Sequence, residues 1–357
     1  MEQRELVKEF NDNDAGLGYT LYVIIGVVCF VIARALIVSG VEYNGIFSFV
    51  YAFIVEAIFA FSVALVCLIK KRDFIPATGV NKPVNAKMFV ICIVISLVCL
   101  FGLGRVSDFF IDILSYFGYH TQTSSLQVKT VLDLLKYTFL VAVLPAFCEE
   151  LLFRGLILNG LRKYGAKVAI FFSAFAFMIM HGSPDQTVHQ FILGVIFGFI
   201  VYYTRNIWLT IIIHFFNNFI VLVITFISSL GEVSGETVAG VTTPSTANSV
   251  VVMITSYAIN VAIVVLSAFI IVKSVQYLIK EVEKKNTPAE EAVEAEAEIE
   301  EVADSERSIV VEKSAPPVMT PLEQKPRMDV LTLAMFVVTS AYLVLEWITA
   351  LVEGFSG

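Results

Sequence analysis

Apolar residues in this chain fall into long runs that short polar segments separate. The runs lie at 17–38, 46–69, 88–103, 132–161, 166–180, 188–203, 207–230, 250–279 and 330–352. A helix needs about 20 mostly apolar residues to cross the hydrocarbon core of a bilayer, and these runs approach or exceed that length. The pattern predicts an all-α, polytopic bundle of about eight to nine transmembrane helices.

Two regions of this pattern carry further information. The fourth run, 132–161, is long and has Pro145 in its middle, which predicts a kinked and tilted helix because proline removes a backbone hydrogen bond. After the third run, the segment 105–120 mixes aromatic residues with Asp108 and Asp112. That mixture is typical of an interfacial helix rather than of a span.

The composition agrees with a membrane protein and excludes several other classes. Hydrophobic residues make up 57% of the chain and charged residues only 16%, whereas soluble domains are about a quarter charged. No basic face or tail is present that could contact nucleic acid. All five cysteines lie within apolar runs, which argues against a disulfide scaffold.

The net charge of −8 lies in one segment. Residues 281–329 contain 14 acidic and 6 basic side chains, whereas the rest of the chain carries 18 of each. We expect this segment to be an acidic, disordered linker between the eighth and ninth apolar runs.

Lysine and arginine are distributed unevenly between the two sides of the predicted bundle. If the N-terminus is cytoplasmic, the segments on the inside hold 14 of these residues and those on the outside hold three. The positive-inside rule therefore predicts an integral, multi-pass membrane protein whose N-terminus and acidic linker face the cytoplasm.

Several ionisable residues fall inside the apolar runs, where a charge is costly. Arg34, Glu56 and Glu346 are isolated, and we interpret them as structural. The fourth run differs because it contains Cys148-Glu149-Glu150-Leu151-Leu152-Phe153-Arg154. Glu150 and Arg154 stand one helical turn apart and can pair. Glu149 has no local partner, which suits a carboxylate that exchanges protons.

Two of the four histidines also fall in apolar runs. His181 ends the run 166–180, and His214 lies within 207–230, one helical turn before Asn218. Together with the two glutamates they predict a polar pocket inside the membrane. Such a pocket can activate water and stabilise an oxyanion, or hold a metal ion.

The spacing Glu149-Glu150-x-x-x-Arg154, Phe177-x-x-x-His181 and His214-x-x-x-Asn218 resembles the three motifs of the CAAX prenyl protease and bacteriocin-processing family, also called CPBP or Abi. The resemblance covers roughly residues 130–225. Members of this family are polytopic intramembrane endopeptidases, so it implies that activity here.

The resemblance also implies roles for individual residues. Glu149 would activate the attacking water, and His181 would help to hold that water. His214 and Asn218 would stabilise the oxyanion, while Glu150 and Arg154 would shape and brace the site.

Metal dependence stays open at this point. If a divalent metal such as zinc is present, Glu149, His181 and His214 are the expected ligands. The helix motif His-Glu-x-x-His of zinc proteases is absent from the sequence, as are the motifs of serine and aspartyl intramembrane proteases.

The sequence thus predicts five regions. N-terminal transmembrane helices and an interfacial segment occupy 1–129, and a catalytic core similar to the CPBP family occupies 130–225. An additional transmembrane helix occupies 226–280, the acidic cytoplasmic linker 281–329, and a C-terminal transmembrane helix 330–352.

The predicted function is hydrolysis of a peptide bond in a membrane-associated protein or peptide. One alternative is a catalytically idle membrane protein of the same fold that acts by binding, for example in immunity. Another is an ion-coupled transporter, which would predict inverted repeats that the sequence does not display.

For catalysis, three spans must bring their polar residues together. Counted from the cytoplasmic ends of their helices, Glu149 and His181 lie about 20 Å deep, whereas His214 lies only about 10 Å deep. Either the loop 204–206 must dip into the protein or the helices must tilt. Gly194 and Gly198 form a Gly-x-x-x-Gly pattern that predicts close helix packing.

The orientation can be tested by cysteine labelling of intact cells. We expect a cysteine at Ser305, in the acidic linker, to be protected from a membrane-impermeant reagent, and a cysteine at Thr243 to react. Labelling of position 305 from outside would overturn the predicted topology.

Overall fold

A computed structural model describes residues 9–42, 44–121, 126–233, 254–284 and 326–356. Within these ranges the protein is built from helices and turns without a β-sheet, which confirms the predicted all-α class. The helices are α1 (Asp12–Val38), α2 (Gly45–Lys70), α3 (Phe74–Thr78), α4 (Ala86–Tyr116), α5 (Val131–Leu158), α6 (Ala166–Met180), α7 (Pro184–Thr204), α8 (Ile207–Leu230), α9 (Ile254–Lys284) and α10 (Val330–Ser356).

Eight helices of the described residues are long and apolar enough to cross a membrane. Of the ten helices named above, only α3 and α6 do not meet this criterion. The helix α6 is apolar but has only 15 residues, which corresponds to a length of about 22 Å. The protein is an integral, multi-pass membrane protein. Which side its N-terminus faces stays a prediction, because Thr243, Ser305 and the acidic segment 285–325 lie outside the described residues.

The predicted interfacial helix is not a separate element. Instead, the third span continues through a π-helical turn, Cys99–Leu103, directly into Gly104–Tyr116. A π-helical turn inserts one extra residue without breaking the helix, so the two segments form one helix of 31 residues. The polar residues that suggested an interface lie in its second half.

The helix α5 departs from regular α-helical geometry on both sides of Pro145. A π-helical segment, Thr138–Val143, precedes the proline, and a second one, Leu151–Leu158, follows Glu150. Every residue of the second segment is buried. This half of α5 therefore lies at the centre of the bundle, in contact with α1, α2, α6 and α7.

The helices α6 and α7 pack closely along the two predicted glycines. A methyl group on Gly194 would lie 2.9 Å from Ala174 Cα, and one on Gly198 would lie 3.0 Å from an Ile170 methyl group. Real Cβ atoms essentially never lie within 3.0 Å of another heavy atom, so a side chain at position 194 would force the backbone of α6 to shift. The predicted close packing is confirmed.

The last helix, α10, returns to the first. Thr339 hydrogen-bonds to Thr20 of α1 at 3.1 Å, and the Trp347 indole N–H donates to Thr187 of α7 at 2.8 Å. At its end, the carbonyl of Gly354 accepts a hydrogen bond from the His120 backbone N–H at 2.8 Å. The C-terminal helix is thus held by contacts along its length.

Substitution of Gly194 should test the packing of α6 on α7. We expect Gly194→Ala to destabilise the protein by about 1–3 kcal/mol, because the added methyl group meets backbone that cannot move cheaply. Gly26→Ala is the matched control, since nothing lies within 4 Å of the methyl group it adds. Thermal unfolding in detergent measures both, and an equal effect of the two changes would contradict the packing argument.

Candidate active site

The predicted ion pair in α5 forms in the centre of the protein. Arg154 donates from its Nη1 to Glu150 Oε1 at 2.7 Å, and both side chains are completely buried. The spacing of four residues explains the pairing, because side chains one turn apart share a face. Each charge offsets the cost of burying the other.

Aromatic rings and a backbone carbonyl surround the rest of the Arg154 guanidinium. Its central carbon lies 4.2 Å from the centre of the Phe177 ring and 5.0 Å from that of Phe197. Its Nη2 lies 3.5 Å from the carbonyl oxygen of Gly194, at the limit of a hydrogen bond. The cation is therefore stabilised by α6 and α7 as well as by its own helix.

His214 lies against both glutamates of α5. Its Nδ1 is 3.3 Å from Glu150 Oε1, and its Nε2 is 3.9 Å from Glu149 Oε2. The first contact is a hydrogen bond, whereas the second is too long for one. Because Glu150 also accepts from Arg154, its carboxylate fixes the orientation of the histidine ring.

The start of α8, the helix that carries His214, is held against other parts of the chain. Thr204 and Asn206, in the loop before α8, are each only 2% exposed. The Asn206 amide donates to the Pro83 carbonyl at 3.2 Å, and the Trp208 indole donates to the Val80 carbonyl at 2.7 Å. The residues on either side of Arg205 are thus packed against the segment that joins α3 to α4, and the start of α8 is fixed there.

His181 follows the last residue of α6. Its Nδ1 lies 2.8 Å from the carbonyl oxygen of Phe177, which can only accept a hydrogen bond. The proton is therefore on Nδ1, and Nε2 is left as an acceptor. The rings of His181 and His214 both pack against the ring of Phe177, with centroid distances of 5.0 and 5.9 Å.

Asn218 bonds to the irregular part of α5. Its Nδ2 donates to the carbonyl of Val141 at 2.9 Å. In a regular helix that carbonyl would accept from the residue four positions later, which is Pro145 and has no N–H. One amide hydrogen of Asn218 thus compensates for the proline, and the other is free of this bond.

The neighbouring Asn217 is buried, and its Oδ1 has no hydrogen-bond partner among the described residues.

Glu56 lies near the candidate site, which the sequence did not reveal. The sequence suggested an isolated structural residue, but Glu56 interacts electrostatically with Glu149, and its Oε2 is buried without a hydrogen-bond partner in the described part of the chain. The helices that carry the two residues, α2 and α5, pack together. The proximity of Glu56 to Glu149 follows from the packing of α2 on α5, and the sequence alone does not predict which helices pack together.

The three expected metal ligands do not form a ready-made metal site. Across the described ranges no group of three or more His, Cys, Asp or Glu side chains is placed to hold a metal ion. His181 and His214 each use Nδ1 in a hydrogen bond, to Phe177 and Glu150 respectively, which leaves both Nε2 atoms open in the way usual for metal-binding histidines. Metal dependence therefore stays a prediction, and no step below is assigned to a metal.

These observations define an integral membrane protein with a buried cluster of carboxylates and histidines. Residues 131–220 match the family model described as type II CAAX prenyl endopeptidase, Rce1-like. The match covers about a quarter of the chain, includes all six predicted site residues, and confirms the family resemblance that the motifs indicated. No curated protein and no solved structure matches the chain.

The buried ion pair gives a stability test. Arg154→Met leaves the Glu150 carboxylate buried without its cation, which should cost about 3–5 kcal/mol of unfolding free energy. The double variant Glu150→Gln/Arg154→Met removes both charges and should recover most of that loss. Thermal unfolding in detergent compares the two, and a double variant as unstable as the single one would argue against the pair.

Proposed function

We propose that the protein is an intramembrane endopeptidase that hydrolyses a peptide bond of a membrane-associated protein or peptide. The main support comes from His214, which contacts Glu150 and faces Glu149 although the three residues lie on two different spans. The family match over residues 131–220 supports the same activity.

Glu149 is the proposed general base. Its Oε2 is buried and has no hydrogen-bond partner within the described residues, so it is available to a water molecule. One water oxygen can lie within hydrogen-bond reach of both Glu149 Oε2 and His214 Nε2, which are 3.9 Å apart. His181, whose Nε2 can only accept, would orient that water by accepting its second hydrogen.

The reaction then follows general acid–base chemistry. The water oxygen bonds to the carbonyl carbon of the scissile peptide while its proton passes to Glu149. The carbonyl oxygen becomes an oxyanion. Glu149 next gives the proton to the leaving nitrogen, and the C–N bond breaks. The base is thereby restored, and the products are a carboxylic acid and an amine.

His214 and Asn218 are the proposed oxyanion donors. As an oxyanion donor His214 would act through Nε2–H, on the side of the ring that faces Glu149, while the Glu150 carboxylate beside Nδ1 holds the ring in place. Asn218 has a second amide hydrogen besides the one bound to Val141. Donors held in place before the reaction stabilise developing charge without reorganisation.

Glu150 and Arg154 are positioning residues in this scheme. Glu150 orients His214 by accepting from its Nδ1, and Arg154 holds the Glu150 carboxylate in place by donating to it. A ligand that fixes the ring of a functional histidine in this way also selects its tautomer.

The family match suggests which substrate class to test first. The family model is named for endopeptidases that act on prenylated CAAX sequences, so a prenylated C-terminal peptide is the first substrate to test. An idle binding protein of the same fold is the alternative. It is disfavoured because such a protein does not need so many buried polar groups, each of which is costly in a membrane.

A cleavage assay with reconstituted protein tests this function. The substrates are a farnesylated CAAX-type peptide and the same peptide without the lipid. Glu149→Gln keeps the shape of the side chain but removes the base, so turnover should fall by about 10²–10⁴-fold. Glu150→Gln should lose activity together with melting temperature, because it weakens the pair with Arg154.

The outcomes separate the roles of the two glutamates. If Glu149→Gln turns over normally while well-folded Glu150→Gln is inactive, the two roles are reversed; if neither change matters, the protease function is wrong. A chelator is added in parallel. Loss of turnover that zinc restores would show a metal-bound water, and unchanged turnover would show that Glu149 and His181 activate water alone.

A further inference from the structure

A cavity lies at one end of the bundle, and none of the glutamates and histidines of the candidate active site lines it. It has a volume of about 520 Å³, within the range of small-molecule pockets. We call it the basic pocket, because its charged lining residues are Lys82, Arg162, Lys163, Arg205 and Glu9. Four cations and one carboxylate give it a clear positive excess.

The walls of the basic pocket are held by close backbone contacts. A methyl group on Gly160 would lie 2.5 Å from the Asn11 carbonyl oxygen, and one on Gly79 would lie 2.8 Å from that of Arg205. Asn159 donates to the Ala77 carbonyl at 3.3 Å. Four separate segments of the chain are therefore fixed around one cavity.

The positive charges of the basic pocket are only partly neutralised. Lys163 pairs with Asp12 at 2.7 Å, but the nearest contact of Arg205 with Glu9 is 3.8 Å, between side chains that are 54% and 80% exposed. Lys82 forms no ion pair with any described residue. A contact as long and exposed as that between Arg205 and Glu9 contributes little.

Arg162 is a cation of the basic pocket without a carboxylate partner among the described residues. Its Nε donates to Asn159 and its Nη2 donates to the Val201 carbonyl, both at 2.8 Å, so its position is fixed by neutral partners. Burial, together with the positive charge of Arg205, lowers the pKa of the Arg162 guanidinium to about 9. A bound anion would offset both effects.

The location and the remaining lining favour an amphiphilic anion. The pocket is formed by the start of α1, the ends of α5 and α7 and the segment between α2 and α4, which all meet at one end of the spans. The ends of membrane-spanning helices lie near the lipid headgroups, so an anionic headgroup could reach this pocket. Phe10, Pro76 and Ala77 add an apolar wall beside the cations. Free phosphate would use only the cations, whereas a phospholipid would use both.

We propose that the basic pocket binds the phosphate group of an anionic phospholipid, with Lys82, Arg162 and Arg205 contacting the phosphate and Phe10 and Pro76 contacting the glycerol region. Basic pockets between membrane helices bind anionic headgroups in this way. An anionic phospholipid and inorganic phosphate both carry the phosphate group that the cations would bind, so the test must distinguish these two ligands.

The test uses the full-length protein in detergent and three probes: short-chain phosphatidylglycerol, short-chain phosphatidylcholine and inorganic phosphate. Binding is measured as the rise in melting temperature with probe concentration and as the number of lipids retained in native mass spectrometry. We expect phosphatidylglycerol to bind, and Lys82→Gln/Arg205→Gln to weaken this binding by at least about tenfold. Lys87→Gln/Lys167→Gln is the matched control, because both lysines are exposed at the same end of the bundle but outside the pocket.

Competition between the probes, together with the control variants, decides whether the pocket binds a phospholipid or free phosphate. Inorganic phosphate that fails to compete with phosphatidylglycerol supports a lipid ligand, whereas phosphate that competes fully would overturn the lipid and leave a site for phosphate alone. Equal weakening by the two double variants would show diffuse surface charge and overturn the site. Equal binding of phosphatidylcholine, or no binding of any probe to the unmodified protein, would also overturn it.

Discussion

The buried pairing of Glu150 with Arg154 is the interaction on which the rest of this structure depends. A guanidinium inside a membrane protein must find an anion, acceptors and polarisable surfaces, because water is excluded. Here α5 supplies the carboxylate, α6 and α7 supply Phe177 and Phe197, and α7 adds the Gly194 carbonyl. The close packing of α6 on α7 thus helps to surround the buried guanidinium of Arg154. Since Glu150 also binds His214, the charge pair sets the position of α8.

The candidate site further depends on backbone irregularity. Two π-helical segments flank the part of α5 that carries the glutamates, and Pro145 lies between them. π-helical turns are frequent at functional sites because they redirect side chains that a regular helix would misplace. Asn218 bonds to the carbonyl that Pro145 leaves without its usual donor. The irregular backbone of α5 therefore provides a carbonyl group that binds a side chain of α8.

The sequence predicted the features that depend on local spacing. Helical periodicity and apolar length sufficed for the spans, and the spacing of four residues sufficed for the pairing of Glu150 with Arg154. It did not predict features that depend on which helices meet. The burial of Asn206, the link from Asn218 to Val141 and the proximity of Glu56 to Glu149 all require tertiary contacts. The π-helical turn at Cys99–Leu103 likewise joined two segments that composition alone had separated.

The return of α10 to α1 gives the chain an unusual closure. Thr20 and Thr339 are bonded to each other although more than 300 residues separate them, and Trp347 joins the same helix to α7. Such contacts act between helices whether or not the chain is continuous between them. The peptide connection from α9 to α10 adds to these contacts by raising the effective concentration of the last helix. The last helix is therefore held to the bundle by its own side chains as well as by the covalent chain.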